Sequence, residues 1–183
     1  MKPKILVVAS EGYAKNIAHF MINTDYGEAV ASSGGLPIVA LSSKLTNEYF
    51  EIADALLLTD GCEIHRGRYG EYYSPDEPIP PLCQEREDME FVLCEMFAKS
   101  SKPILGIGRG MKIVNVFFGG TLCESDTVAI EKLGDNLSAS YAEDGTIESI
   151  SHDKLPILGV MNFEKSSKQS FDWLISECKE VLK

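Results

Sequence analysis

At 183 residues the chain is long enough for one compact domain with a sizeable core, and its 44% hydrophobic and 25% charged residues are those of an ordinary globule. Seventeen basic residues against 28 acidic ones leave a net charge of −11, which argues against nucleic acid or an anionic membrane as a partner. No apolar stretch is long enough to span a bilayer, and five cysteines, an odd number, read as reduced thiols in a cytoplasmic protein.

In chain order, Lys2 and Lys4 flank a short apolar run that reads as a first strand, Ile5 to Ala9, rather than a leader peptide. Asp25 to Ser33 is helical and ends at Gly34-Gly35. Ile38 to Leu41 and Ala55 to Leu58 are the second and third strands. The latter is continuously apolar, as in a parallel sheet covered on both faces. Residues 62 to 83 are loop-like, punctuated by Ser74-Pro75 and Pro78-Ile79-Pro80-Pro81. Met89, Val92, Leu93, Met96 and Phe97 then recur at helical spacing and predict one apolar helix face. Ile104 to Ile107 is a buried strand, followed by a helix from about Arg109. Ser138 to Ile150 reads as a hairpin and Ile157 to Met161 as a strand. Phe171, Leu174, Ile175 and Cys178 mark a closing amphipathic helix. Alternating strands and helices imply a three-layer α/β sandwich with a mostly parallel central sheet.

The junction at Gly108 carries the chemistry. A strand, a glycine-flanked turn and a helix N-terminus in succession make the layout of a nucleophile elbow, where one residue is presented on a strained turn. Gly106 and Gly110 let such a turn close. The same glycines could present backbone N–H groups to a small carboxylate or phosphate, with Arg109 adding charge. The third glycine comes one residue too early for a dinucleotide fingerprint, so no cofactor is implied.

The segment PILGIGRGM, followed by Asn115 and the run Gly119-Gly120-Thr121-Leu122, resembles the elbow of class I glutamine amidotransferases. It is closer still to the γ-glutamyl hydrolase-like branch, peptidase family C26. The resemblance extends to Asn23–Leu41, with a tyrosine near the helix start, to Asp54–Glu71, to the helix leading from Arg86 into the elbow, and to the strands of Leu133–Met161. It implies the flavodoxin-like fold of that superfamily in one domain spanning residues 1–183, and a ligand of the small carboxylate or γ-glutamyl class. Related domains often pair, so a homodimer is expected.

The resemblance also implies that the catalytic apparatus is degenerate. Gly108 stands where the family has its nucleophilic cysteine. The family's histidine and carboxylate segment corresponds to Gly159–Lys165, which holds no histidine; Phe163 and Glu164 occupy it, Glu164 reading as an exposed strand-end residue or, with one residue deleted ahead of it, as the remnant of the family's carboxylate. Thiol chemistry needs a base, since a neutral thiol is a weak nucleophile. After Leu122 a long excursion of the family is missing, and Cys123 runs almost at once into Ser125-Asp126-Thr127. Thr59-Asp60-Gly61 stands where the family has Pro-Gly-Gly in its oxyanion loop, and Asp60 puts negative charge where an oxyanion would form, should its side chain point inward.

The ligand-binding candidates are therefore Gly61, Gly108, Arg109 and Gly110. Cys62 and His65 offer an alternative: a rebuilt Cys–His pair for an active γ-glutamyl amide hydrolase. The same C-x-x-H spacing is only half of a zinc site, and no metal is expected. His19 reads as a helix-boundary or core residue, His152 as a surface residue, and Cys94 and Cys178 as packing residues.

Overall fold

The structure is a computed structural model describing all residues except 15–16, 80–81, 125–127 and 182–183, with side chains described outside 11–18, 124–128 and 164–167. Its elements are β1 (Lys4–Val8), β2 (Ser10–Ala14), β3 (Ile17–Met21), α1 (Thr24–Ser32), β4 (Leu36–Ala40), α2 (Thr46–Ile52), β5 (Ala55–Leu58), α3 (Gln84–Lys99), β6 (Ile104–Ile107), α4 (Arg109–Phe117), β7 (Thr121–Glu124), β8 (Val128–Lys132), β9 (Leu137–Tyr141), β10 (Ile147–His152), β11 (Ile157–Val160) and α5 (Phe163–Val181). Seven strands form one sheet in the order β4-β1-β5-β6-β11-β10-β9. The first five run parallel, and β10 and β9 add an antiparallel end.

This is the expected three-layer α/β sandwich. Central strands β1, β5 and β6 are buried on both faces, which explains why their sequences are continuous apolar runs. Leu6, Val8, Leu56, Leu58 and Ile104 pack on one side with residues of α3 and α4. Ile5, Val7, Leu57, Leu105 and Ile107 pack on the other with α1 and α5. Pro37 lacks an N–H and sits on the edge strand β4, where a missing donor is tolerated. The chain reverses its direction of sheet growth between β1 and β5. Ligands in open α/β sheets gather at the carboxyl ends of strands at such a switch point.

Several expectations change. The α3 face is not the simple apolar stripe predicted, because Val92 is exposed while Arg86, Glu87 and Glu90 are buried beside Met89, Leu93, Cys94 and Phe97. A hydropathy pattern cannot count charged residues as core, even when they are. Strands β2 and β3 pair antiparallel with each other, so His19 lies exposed on β3 and not at a helix boundary or in the core. Helix α2 and the antiparallel pair β7 and β8 are elements that the sequence pattern does not signal. The Ser125–Thr127 run lies outside the described residues. Phe163 and Glu164 begin α5 instead of ending a strand, and the Glu164 side chain is outside the described set. His152 is half-buried, with its ring against Phe118 and its Nδ1 accepting from the Lys154 and Leu155 N–H groups.

Candidate functional site

The elbow forms as its sequence predicts, and the glycines on either side of it are required. A β-carbon on Gly106 would lie 2.4 Å from the Gly110 carbonyl oxygen, and one on Gly110 would lie 2.3 Å from that of Leu58. Helix α4 therefore sits directly on the backbone of β5 and β6, a contact only glycine permits. Gly108 caps α4 with φ 57° and ψ −111°, a conformation that L side chains rarely adopt. Its N–H donates to the Val160 carbonyl, which fixes the turn against β11.

The space above Gly108 belongs to Asp60. A β-carbon on Gly108 would come within 2.8 Å of the Asp60 Cγ and Oδ1. Asp60 Oδ1 accepts from the Arg109 N–H at 3.0 Å, so the carboxylate occupies the free N–H end of α4 where the helix dipole favours negative charge. The Asp60 N–H in turn donates to the Tyr26 hydroxyl at 3.3 Å. Burial raises the Tyr26 phenol above its ordinary pKa, against the lowering effect of that hydrogen bond.

Asp60 is held by a buried guanidinium. Arg86 Nη2 donates to the Thr59 carbonyl at 2.9 Å, and both Nη atoms reach the Asp60 carbonyl at 3.2 Å. Thr59 Oγ1 donates to the Val8 carbonyl at 2.7 Å and ties the same loop to β1. Gly61 follows because a β-carbon there would lie 2.1 Å from Arg86 Nη1. The Thr59-Asp60-Gly61 loop is thus clamped with its carboxylate at the elbow.

Beneath lies a cluster of buried charges. Arg86 Nε pairs with Glu90 Oε1 at 2.9 Å, and Arg109 Nη1 pairs with Glu90 Oε2. Glu87 accepts from the His65 N–H at 2.9 Å and from Arg68 Nε at 2.8 Å, and stands 3.9 Å from Arg109 Nη2. Burial pulls the Arg109 pKa down, but the attraction and hydrogen bond of Glu90 outweigh it, leaving the group above the ordinary arginine value. Arg109 Nε and Nη2 have no hydrogen-bond partner among the described residues. Arg109 is 3% exposed. Its guanidinium points into this cluster rather than adding charge to the mouth of the elbow, so only its backbone N–H faces the apex.

Cys62 and His65 are not joined by a hydrogen bond among the described residues. His65 Nδ1 accepts from the Gly67 N–H at 3.0 Å, capping a short 3-10 turn, and its ring lies edge-on to Tyr73 at 5.9 Å. Cys62 is half-buried and within electrostatic reach of Arg109. Among the described residues no group of three or more His, Cys, Asp or Glu side chains converges as a metal site. No helix there is long and apolar enough to cross a membrane.

Beside the elbow a cleft of about 360 Å³ opens at the carboxyl ends of β1 and β5, lined by Ser10, Asn23, Asp25, Tyr26, Asp60 and Phe163 among others. Tyr26 and Phe163 form one wall, with ring centroids 4.8 Å apart. In the sequence Tyr26 stands out only as part of the Asn23–Leu41 motif. Its link to Asp60 is tertiary and has no local signal.

Comparison with known proteins gives a consistent result. The family described as Peptidase C26 matches residues 5–127. The chain is 32% identical over 120 residues, 66% of its length, to a Schizosaccharomyces pombe protein named as a glutamine amidotransferase, and covers 45% of that protein. It is 31% identical over 132 residues, 67% of its length, to a Rickettsia prowazekii protein named as glutamine amidotransferase-like, covering 46% of it. The chain thus spans less than half the length of both relatives. A crystal structure described as that of a GMP synthase subunit from Thermoplasma acidophilum shares the fold with a TM-score of 0.70 at 14% identity, over 98% of this chain and 96% of that one.

Proposed function

The chain belongs to the peptidase C26 family, and from that premise we propose that it is a member which keeps the amidotransferase-like fold and does not hydrolyse amides, its elbow serving small-molecule binding or assembly. One observation carries this reading. The volume that a nucleophilic side chain on residue 108 would need holds the Asp60 carboxylate, hydrogen-bonded to the Arg109 N–H. A fixed negative charge there opposes both a thiolate and a developing oxyanion. The base is missing as well, because Met161, Asn162 and Phe163 follow β11 where the family resemblance calls for histidine.

The ligand we propose is a small molecule of the γ-glutamyl class, held through its ammonium group rather than its carboxylates. Asp25 and Asp60 both line the cleft, and the helix N-terminus at the elbow that would attract an anion is already taken by Asp60. Five cysteines, an odd number, support a cytoplasmic setting.

The test is ammonia release from glutamine and from several γ-glutamyl amides by the purified protein. We expect none above the buffer rate. Turnover that disappears on Cys62→Ala or His65→Ala would replace this reading with that of a rebuilt thiol hydrolase.

A further inference from the structure

A cavity of about 750 Å³ opens between the β9–β10 end of the sheet and α5 and reaches Val160, Met161 and Asn162 at the end of β11, beside the elbow, within the size range of small-ligand sites. Its origin is a mismatch of coverage. Leu137, Ala139 and Ile150 turn toward the core shared with α4. On the opposite face, which α5 covers only in part, β9 and β10 place Ser140 against Ser149 and Ser138 against Ser151. Ser140 and Ser149 share a hydrogen bond of 2.7 Å between their hydroxyls.

The cavity combines three features that suit one class of ligand. Leu158 and Val160 form an apolar floor and Trp173 supplies a large aromatic surface. Hydroxyl and amide groups surround it: Ser140, Ser149, Ser170 and Gln169. Ser170 is only 4% exposed, so a ligand hydroxyl that reached it would bond out of water, where such a bond is electrostatically stronger. Asp144 and Glu148 at the rim make the mouth acidic.

We propose that this cavity binds an unphosphorylated sugar. A pyranose presents C–H groups to an aromatic face and hydroxyls on its edge, which match Trp173 and the serine and amide groups. The acidic rim and the net charge of −11 disfavour sugar phosphates and favour neutral or amine-bearing sugars.

Trp173 is the single tryptophan of the chain; it also borders a neighbouring cavity beside His152, Lys154 and Glu177, so its emission reports binding at either place and the serine variants assign the change to this one. Titration of the intact protein with D-glucosamine and D-glucose should give a saturable change in emission, and D-glucose 6-phosphate should bind at least tenfold more weakly. Ser149→Val combined with Ser170→Val should weaken binding of the first two probes by tenfold or more, with the fold verified by circular dichroism. The proposal is overturned if no sugar gives a saturable change by ~10 mM, if the phosphate binds as well as its parent sugar, or if the folded double variant binds unchanged. An emission change that follows protein concentration without sugar would also overturn it, since a second copy would then cover the face.

Discussion

Asp60 and Gly108 share one volume: the carboxylate of the first lies where a β-carbon on the second would stand, 2.8 Å from its Cγ. Each residue explains the other. Gly108 leaves room for the carboxylate, and the carboxylate caps the helix that Gly108 begins.

Reintroducing a thiol should therefore reveal coupling. Gly108→Cys is expected to cost about 3 kcal/mol, from the positive-φ backbone together with the clash at Asp60. Asp60→Gly removes a helix cap and should cost about 1 kcal/mol. The double variant should be more stable than the sum by about 1 kcal/mol, because the clash disappears. Urea unfolding of all four proteins measures this, and strict additivity would mean that the two positions do not compete. On the proposed function, the double variant should show no glutamine turnover.

Two glycine-to-alanine changes should have opposite signs. Gly110→Ala forces a β-carbon against the Leu58 carbonyl and should cost about 3 kcal/mol or more, since backbone cannot move aside. Gly27→Ala lies within α1 with nothing inside 4 Å of the new atom, and should stabilise by about 0.5–1 kcal/mol. Thermal melting of the pair decides this.

Among the described residues Glu90 is the carboxylate that bridges Arg86 and Arg109. Glu90→Gln should destabilise by about 3–5 kcal/mol, because it leaves buried guanidinium charge uncompensated. Arg109→Met should cost less, as two of its polar atoms already lack acceptors among the described residues. Denaturant midpoints that rank the two in the other order would contradict this account of the cluster.

Alkaline pH should loosen the α5 side of the core. Burial pushes the Cys178 thiol up from 9.0 to about 12. A pKa raised in the folded state leaves stability intact below the ordinary thiol value. Stability then falls as pH climbs from there toward about 12, because only the unfolded chain sheds the proton readily. Cys178→Ala should flatten that slope in unfolding experiments above pH 9. In the folded protein a maleimide should label half-buried Cys62, Cys83 and Cys123 well before Cys94 and Cys178, which wait for unfolding.

The sequence is most informative where a pattern is local. The Ile104–Ile107 strand, the Gly108 turn and the α4 start at Arg109 can be read because each residue's role depends on near neighbours. The parallel order follows from alternating elements. What escapes is tertiary: the burial of Arg86, Glu87 and Glu90 on a helix with one modest apolar stripe, and the aim of Asp60, which depends on Arg86 gripping the carbonyl behind it. The serine-lined cavity also leaves little trace. Alternating serines in β9 and β10 read equally well as an ordinary solvated face, and only the reach of α5 makes them a wall with Trp173.

The cap that Asp60 places on α4 acts as a latch on sequence change at residue 108. Every side chain introduced there meets the carboxylate first, so the order of substitutions matters: residue 60 must shrink before residue 108 can grow. A protein library varied at residue 108 alone would sample a closed door, whereas one that first carries glycine or alanine at residue 60 would find it open.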